Sequence, residues 1–141
     1  ILEVIGINTG VPFGEYKYGS ALGFKMWGTP FMIGVNWFFM AYCGALVFSK
    51  VTNSRVANAA ITALAITAMD YIMEPVAIEL DFWSWKESIV PVQNYISWAL
   101  VIFLYSLGIY HYLPKSENQI AKWVLGVQFT FFFTLFLAFS R

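Results

Sequence analysis

The chain has 141 residues, of which 60% are hydrophobic, 20% aromatic and only 11% charged, with a formal net charge of zero and a mean hydropathy of +0.67. Soluble domains carry about 25% charged residues, so this composition reads as a membrane protein. Its Lys and Arg residues stand singly, with no basic stripe for a nucleic-acid backbone, and its single Cys43 and single His111 exclude a disulfide framework or a Cys/His zinc cage within the chain.

The opening stretch ILEVIG reads as the tail of a helix, without the basic n-region or small-residue cleavage site of a signal peptide. The sequence is therefore expected to be the C-terminal part of a longer chain, forming one membrane domain over residues 1–141. Residues 8–29 read as a Gly-rich loop carrying Tyr16, Tyr18 and Trp27. A bilayer core needs roughly 20 apolar residues in a helix, and four stretches meet that need: 30–48, 56–78, 95–113 and 120–139. The expected fold is an all-α polytopic transmembrane helix bundle, with four spans plus the end of a preceding helix. Residues 79–94 form a second long loop with Trp83, Trp85 and Pro91, whereas 49–55 and 114–119 are short polar turns. Lys and Arg divide evenly between the two ends. Their density in the short turns leans towards those being cytoplasmic. Glu3, Glu15, Asp70, Glu74, Glu79, Asp81 and Glu87 all gather at the long-loop end, leaving Glu117 opposite.

The second span carries the central problem. Ala60, Ala63, Thr67, Asp70 and Glu74 recur at spacings of three and four and share one helical face. Small residues admit a close neighbouring helix, so the acids point into an interface rather than at lipid. At ~1.5 Å per residue, Asp70 lies about 12 Å and Glu74 about 6 Å inside the membrane end of this span. Pro75 cannot donate to the Tyr71 carbonyl, which loosens the helix beside them. A charged, unpaired carboxylate at this depth costs several kcal/mol, so each acid is expected to pair or to hold a proton. Two such groups suit general acid/base work; the structural alternative is hydrogen bonding to neighbouring helices.

Glu3, Asn36, Gln93 and Asn94 fall in the same leaflet, with Asn36 about 9 Å into the first span. Trp83, Trp85, Tyr16, Tyr18 and Trp27 fit an interfacial belt, or alternatively rings that face a pocket and stabilise a cation or pack on a polyene. His111 is expected at the far interface and Cys43 in packing. Phe129, Phe131, Phe132 and Phe133 are expected on lipid-facing or helix-packing surface. No phosphate loop, Ser/His/Asp set or metal-ligand spacing is present.

The run EVIGINTGVPFGEYKYGSALGFKMWGTPFMIGVNW, followed by DYIMEPVA, FWSW and PVQNYISW, resembles the integral membrane carotenoid biosynthesis family of carotenoid 1,2-hydratase and bisanhydrobacterioruberin hydratase type. The match covers residues 3–98. This resemblance implies a cofactor-independent hydratase that adds water to the terminal C1=C2 bond of an acyclic, lycopene-like carotenoid taken from the lipid of a bacterial or archaeal cytoplasmic membrane. The family pattern falls on Glu3, Gly14, Glu15, Tyr16, Asn36, Trp37, Asp70, Glu74, Pro75, Trp83, Trp85, Pro91, Asn94 and Trp98.

Joined to the residue chemistry, it suggests that Asp70 or Glu74 protonates the alkene while the other acid or Glu3 deprotonates the incoming water. Asn36 and Asn94 would orient that water. Glu15, Tyr16, Trp37, Trp83, Trp85 and Trp98 would form the substrate site, with the indoles screening the cation. The rival readings are a non-catalytic carotenoid- or lipid-binding component of a larger membrane complex and a proton pathway. The pathway reading is the weaker because Gln128 and Thr130 supply no relay through the opposite half.

Overall fold

The computed structural model describes residues 1–112 and 118–139. Among these residues the chain forms α1 (Leu2–Thr9), β1 (Tyr16–Tyr18), β2 (Lys25–Met26), β3 (Thr29–Pro30), α2 (Phe31–Phe48), α3 (Arg55–Glu79), β4 (Trp83–Trp85), α4 (Val92–Tyr112) and α5 (Ala121–Phe139). Helices α2 to α5 are each long and apolar enough to cross a membrane. They reproduce the four expected spans, with α4 beginning three residues early at Val92. The expected end of that span at Leu113, most of the following turn with Lys115 and Glu117, and Arg141 lie outside the described residues.

Local chemistry sets these boundaries. α1 closes at Gly10 in the left-handed conformation (φ 72°), whose N–H bonds the Gly6 carbonyl. Ser54 caps α3, its side chain accepting from the Ala57 N–H at 3.2 Å. α3 continues through Pro75, which lies on an exposed side of the helix.

α3 packs against α2, α4 and α5. Its buried side runs through Ala59, Thr62, Ala63, Ile66, Asp70, Met73 and Glu74. Ala60 and Thr67, expected on that stripe, are half-buried at its edge. The α2–α3 approach is close at Gly44, where an added Cβ would stand 3.0 Å from Ile66 and 3.1 Å from Thr62. Cys43 is buried in the middle core cluster with Met40, Ala63, Ile66 and Ile102, whereas His111 is exposed at the far end of α4.

The two long loops are more ordered than their composition suggests. β1 pairs antiparallel with β4 in the register Tyr16↔Trp85, Lys17↔Ser84 and Tyr18↔Trp83. Alternation along both strands turns the aromatic rings inward and Lys17 and Ser84 outward. β2 and β3 form a hairpin through Trp27 and Gly28, both at positive φ (52° and 82°), as a two-residue primed turn demands.

Several contacts tie these loops into a cap over one end of the bundle. The exposed Asp81 carboxylate accepts from the Ser20 N–H and hydroxyl, both at 2.9 Å, which hold it below the usual carboxylate range. The Ser97 hydroxyl on α4 donates to the Pro12 carbonyl at 2.9 Å. Gly19 sits so close beneath the 81–82 backbone that a Cβ there would overlap the Asp81 carbonyl oxygen. Gly19→Ala must therefore separate the two loops, and should lower the stability of the detergent-solubilised protein by about 1–3 kcal/mol. An unchanged thermal midpoint would show that the cap is not docked in this way.

Candidate functional site

The cap and the upper halves of α2, α3 and α4 enclose the acids. Asp70 and Glu74 on α3 and Asn94 at the start of α4 are 2%, 3% and 2% exposed, so bulk water does not supply their hydrogen bonds and the protein must provide most of them. Glu74 Oε2 accepts from the Trp83 and Trp85 indole N–H groups, each at 2.8 Å. An indole nitrogen only donates. Two of them on one oxygen make a cradle for a carboxylate. The Asn94 side-chain nitrogen reaches both Asp70 Oδ2 and Glu74 Oε1 at 3.3 Å, joining the two acids across α3 and α4.

Glu3 approaches from α1. Its Oε2 accepts from the Tyr16 and Tyr18 hydroxyls, each at 2.6 Å. Burial, reinforced by the adjacent Glu3 carboxylate, raises both phenol pKa values, so the hydroxyls remain donors through neutral pH. β1 thus supplies two O–H groups to Glu3 and β4 supplies two N–H groups to Glu74. Strand alternation and the β1–β4 register place all four donors on the inward face.

Glu3, Asp70, Glu74 and Asn94 line one small cavity of about 20 Å³. Such a volume holds about one water, which needs two to four polar partners of the kind these residues offer. One wall is a stack of three rings: Trp98 lies against Trp37 (centroids 3.7 Å apart, planes at 12°) and against Phe13 (4.8 Å, 15°).

Of the residues expected at a site, the structure brings together Glu3, Asp70, Glu74 and Asn94 with Tyr16, Trp37, Trp83, Trp85 and Trp98. Asn36 and Glu15 are not in this cavity. Asn36 accepts from Gln128 on α5 at 2.7 Å, in a neighbouring recess of about 10 Å³ between α2, α3 and α5 that shares Trp37 and Asp70 with the cavity. Glu15 precedes the inward Tyr16, so it points out and pairs with Lys86 at 2.9 Å, both side chains well exposed. Gln93 is likewise outside, donating to the Gly10 carbonyl at 3.3 Å, and the Trp27 indole is exposed.

Phe13 and Ile33 were not expected as site residues, and Tyr18 only as one of the rings that, in the alternative to an interfacial belt, face a pocket. Tyr18 was legible in the alternation Tyr16-Lys17-Tyr18; Phe13, 1% exposed, had no signal beyond a large apolar residue in a Gly-rich loop.

Two larger spaces flank the cavity. A polar cleft of about 640 Å³, lined by Asn8, Thr9, Lys17, Ser84 and Lys86 among others, abuts it across Tyr16 and Trp85. An apolar groove of about 830 Å³ between α1, the β2–β3 hairpin and α2 meets it at Glu3.

Apolar spans capped over a buried cluster of carboxyls define an integral membrane protein with polar chemistry at one end. The chain belongs to the carotenoid biosynthesis protein family, whose profile matches residues 1–140. Among curated proteins it is similar to the bisanhydrobacterioruberin hydratase of Haloarcula japonica, at 29% identity over 119 residues, covering 76% of this chain and 41% of that protein. The chain thus spans about two fifths of the length of that relative. No solved structure matches.

The indole cradle predicts its own energetics. Trp83→Phe and Trp85→Phe keep an aromatic ring but each removes a donor from a buried carboxyl, and each should destabilise the solubilised protein by about 1–3 kcal/mol. Thermal unfolding followed by fluorescence of the remaining indoles measures this. Parent-like midpoints for both variants would mean that Glu74 does not depend on these bonds.

Proposed function

We propose that this chain forms the reaction site of a carotenoid hydratase that adds water across the terminal C1=C2 bond of an acyclic end group, giving a tertiary alcohol. The observation that carries this reading is a water-sized cavity bounded by three carboxyls and an amide and walled by stacked aromatic rings. The similarity to a named hydratase supports it.

Addition of water consumes a proton and a hydroxyl equivalent and changes no net oxidation level, so the chemistry asks for proton handling and needs no redox cofactor. Asp70 is the proton donor in this scheme. Its only hydrogen bond among the described residues is the long one from Asn94, whereas Glu3 and Glu74 each already receive two donors on one oxygen. The Asp70 proton passes to C2, and the C1–C2 π pair forms the new C–H bond. The tertiary cation left at C1 lies against π faces of the kind that attract cations.

Glu74, held by the two indoles, takes a proton from the water as its oxygen bonds to C1. Asn94, which spans both acids, fixes that water and the spacing between them. Transfer of the proton from Glu74 back to Asp70, through the next water to enter the cavity or by exchange with water in the polar cleft, restores the starting state. Enclosure protects the cation from competing nucleophiles.

The experiment is pigment analysis by chromatography and mass spectrometry in a lycopene-producing bacterial host expressing the full-length protein. Wild type should yield a product heavier by one water. Asp70→Asn and Glu74→Gln, at matched levels of membrane-inserted protein, should each reduce it by about 100-fold or more, as for loss of a general acid or base. Wild-type conversion by both variants would overturn the assignment. Unchanged pigment with the wild type, on lycopene and on other acyclic carotenoids, would favour the pigment-binding role instead.

A further inference from the structure

The cavity among the acids has room for about one water, so the body of the organic substrate must lie beside it, with only the terminal alkene carbons reaching its edge. Of the two large spaces that adjoin it, the cleft across Tyr16 and Trp85 carries Lys17, Lys86, the Asn8 amide and the Thr9 and Ser84 hydroxyls, polar groups whose desolvation a hydrocarbon would not offset. The groove that meets the cavity at Glu3 has the opposite character. Ile5, Met26, Phe31 and Phe38 form its sides, and its volume is about 830 Å³.

We propose that this groove is the binding site for the polyene chain of the acyclic carotenoid, with the terminal double bond directed past Glu3 towards Asp70. The inference rests on the hydratase reading for the identity of the occupant and on geometry for its location.

Three features favour a polyene over an ordinary lipid chain. Phe31, Gly34, Val35 and Phe38 recur along one face of α2, giving the groove a straight stretch of floor about 10 Å long, against which a rigid conjugated segment lies flat where a kinked acyl chain does not. The β2–β3 turn holds Trp27 in the left-handed region (φ 52°) with its indole 73% exposed beside this floor. A bulky residue in that conformation is costly, and the result is a flat ring offered to whatever lies in the groove. The inner end is polar, being lined by Glu3 where the groove meets the cavity, and the buried Thr29 hydroxyl in the groove wall has no hydrogen-bond partner among the described residues. A saturated methyl terminus makes no use of such an end, whereas an alkene about to be protonated and hydrated does.

Gly34 then becomes the specificity-determining position. Among the described residues, and apart from its own stretch of helix backbone, a Cβ there would meet no atom within 4 Å, so a larger side chain would extend into the groove without disturbing the fold. Gly126 on α5 is equally unobstructed and lies away from the groove, so it serves as the control.

The test uses the full-length protein, solubilised in mild detergent from the lycopene-producing host, and measures lycopene co-purified per mole of protein as well as product. In an Asp70→Asn background, which separates binding from turnover, Gly34→Leu should reduce co-purified lycopene about tenfold, as forced overlap with an occupant implies. Gly126→Leu should leave it unchanged, and Gly34→Ala should fall between. With Asp70 intact, Gly34→Leu should depress conversion in parallel.

If Gly34→Leu binds and converts lycopene as its parent does, the groove assignment fails while the hydratase reading stands. If Gly34→Leu displaces lycopene from a protein that never hydrates it, the groove stands and the hydratase reading fails. Should the parent carry no lycopene and Gly34→Leu leave turnover untouched, the groove belongs to lipid or to another protein segment, and the proposal is overturned.

Discussion

The structure depends on satisfying carboxyl groups, Asp70 and Glu74 buried and Glu3 half-buried, in a place that bulk water does not reach. Glu74 is held by two indole N–H groups from one strand, Glu3 by two phenol O–H groups from the strand paired with it, and Asp70 and Glu74 share one amide. Leaving any such acceptor unsatisfied in an apolar surround costs several kcal/mol. Neutral donors supply the bonds without fixing a positive charge against the acids. That distinction matters for chemistry, because a permanent cation would hold a carboxylate ionised, whereas indole, phenol and amide donors leave room for a proton to come and go.

The cap follows from this requirement. Tyr16, Tyr18, Trp83 and Trp85 can aim at the acids only if the two strands pair in the observed register, since a shift by one residue would turn Lys17 and Ser84 inward instead. The Asp81–Ser20 bonds and the tight fit of Gly19 hold that register from outside. The same arrangement separates a polar cleft on one side of the acid cavity from an apolar groove on the other. Water and hydrocarbon are the two reactants of a hydration, and in our account each arrives through the space that suits it.

Much of this was legible in the residues. Four apolar runs located the spans, because length and hydropathy dominate in a bilayer, and the three-and-four spacing of Asp70 and Glu74 placed both on the buried face of α3. The resemblance added the family, which the match over residues 1–140 bears out. The cap was not legible as structure. Its strands are two or three residues long and lie within loops separated by α2 and α3, so the alternations at 16–18 and 83–85 are too short to reveal that the two segments pair. For the same reason the rings read equally well as an interfacial belt; four of them turn inward, while Trp27 remains exposed. Asn36 and Glu15 stand at depths or positions that fit the site, but sequence depth does not fix rotation about a helix or the face of a strand. Asn36 is turned to Gln128, and Glu15 to Lys86.

The central claim is that these carboxyls deliver one proton and one water to an alkene. The direct test is isotopic: full-length protein reconstituted in lipid vesicles with lycopene, assayed in oxygen-18 water and separately in deuterium oxide. The account predicts a tertiary alcohol with the heavy oxygen at C1, and with one non-exchangeable deuterium at C2 for each hydrated end. An alcohol whose oxygen is unlabelled, or whose C2 carries no deuterium, would contradict acid-catalysed addition of water at this site.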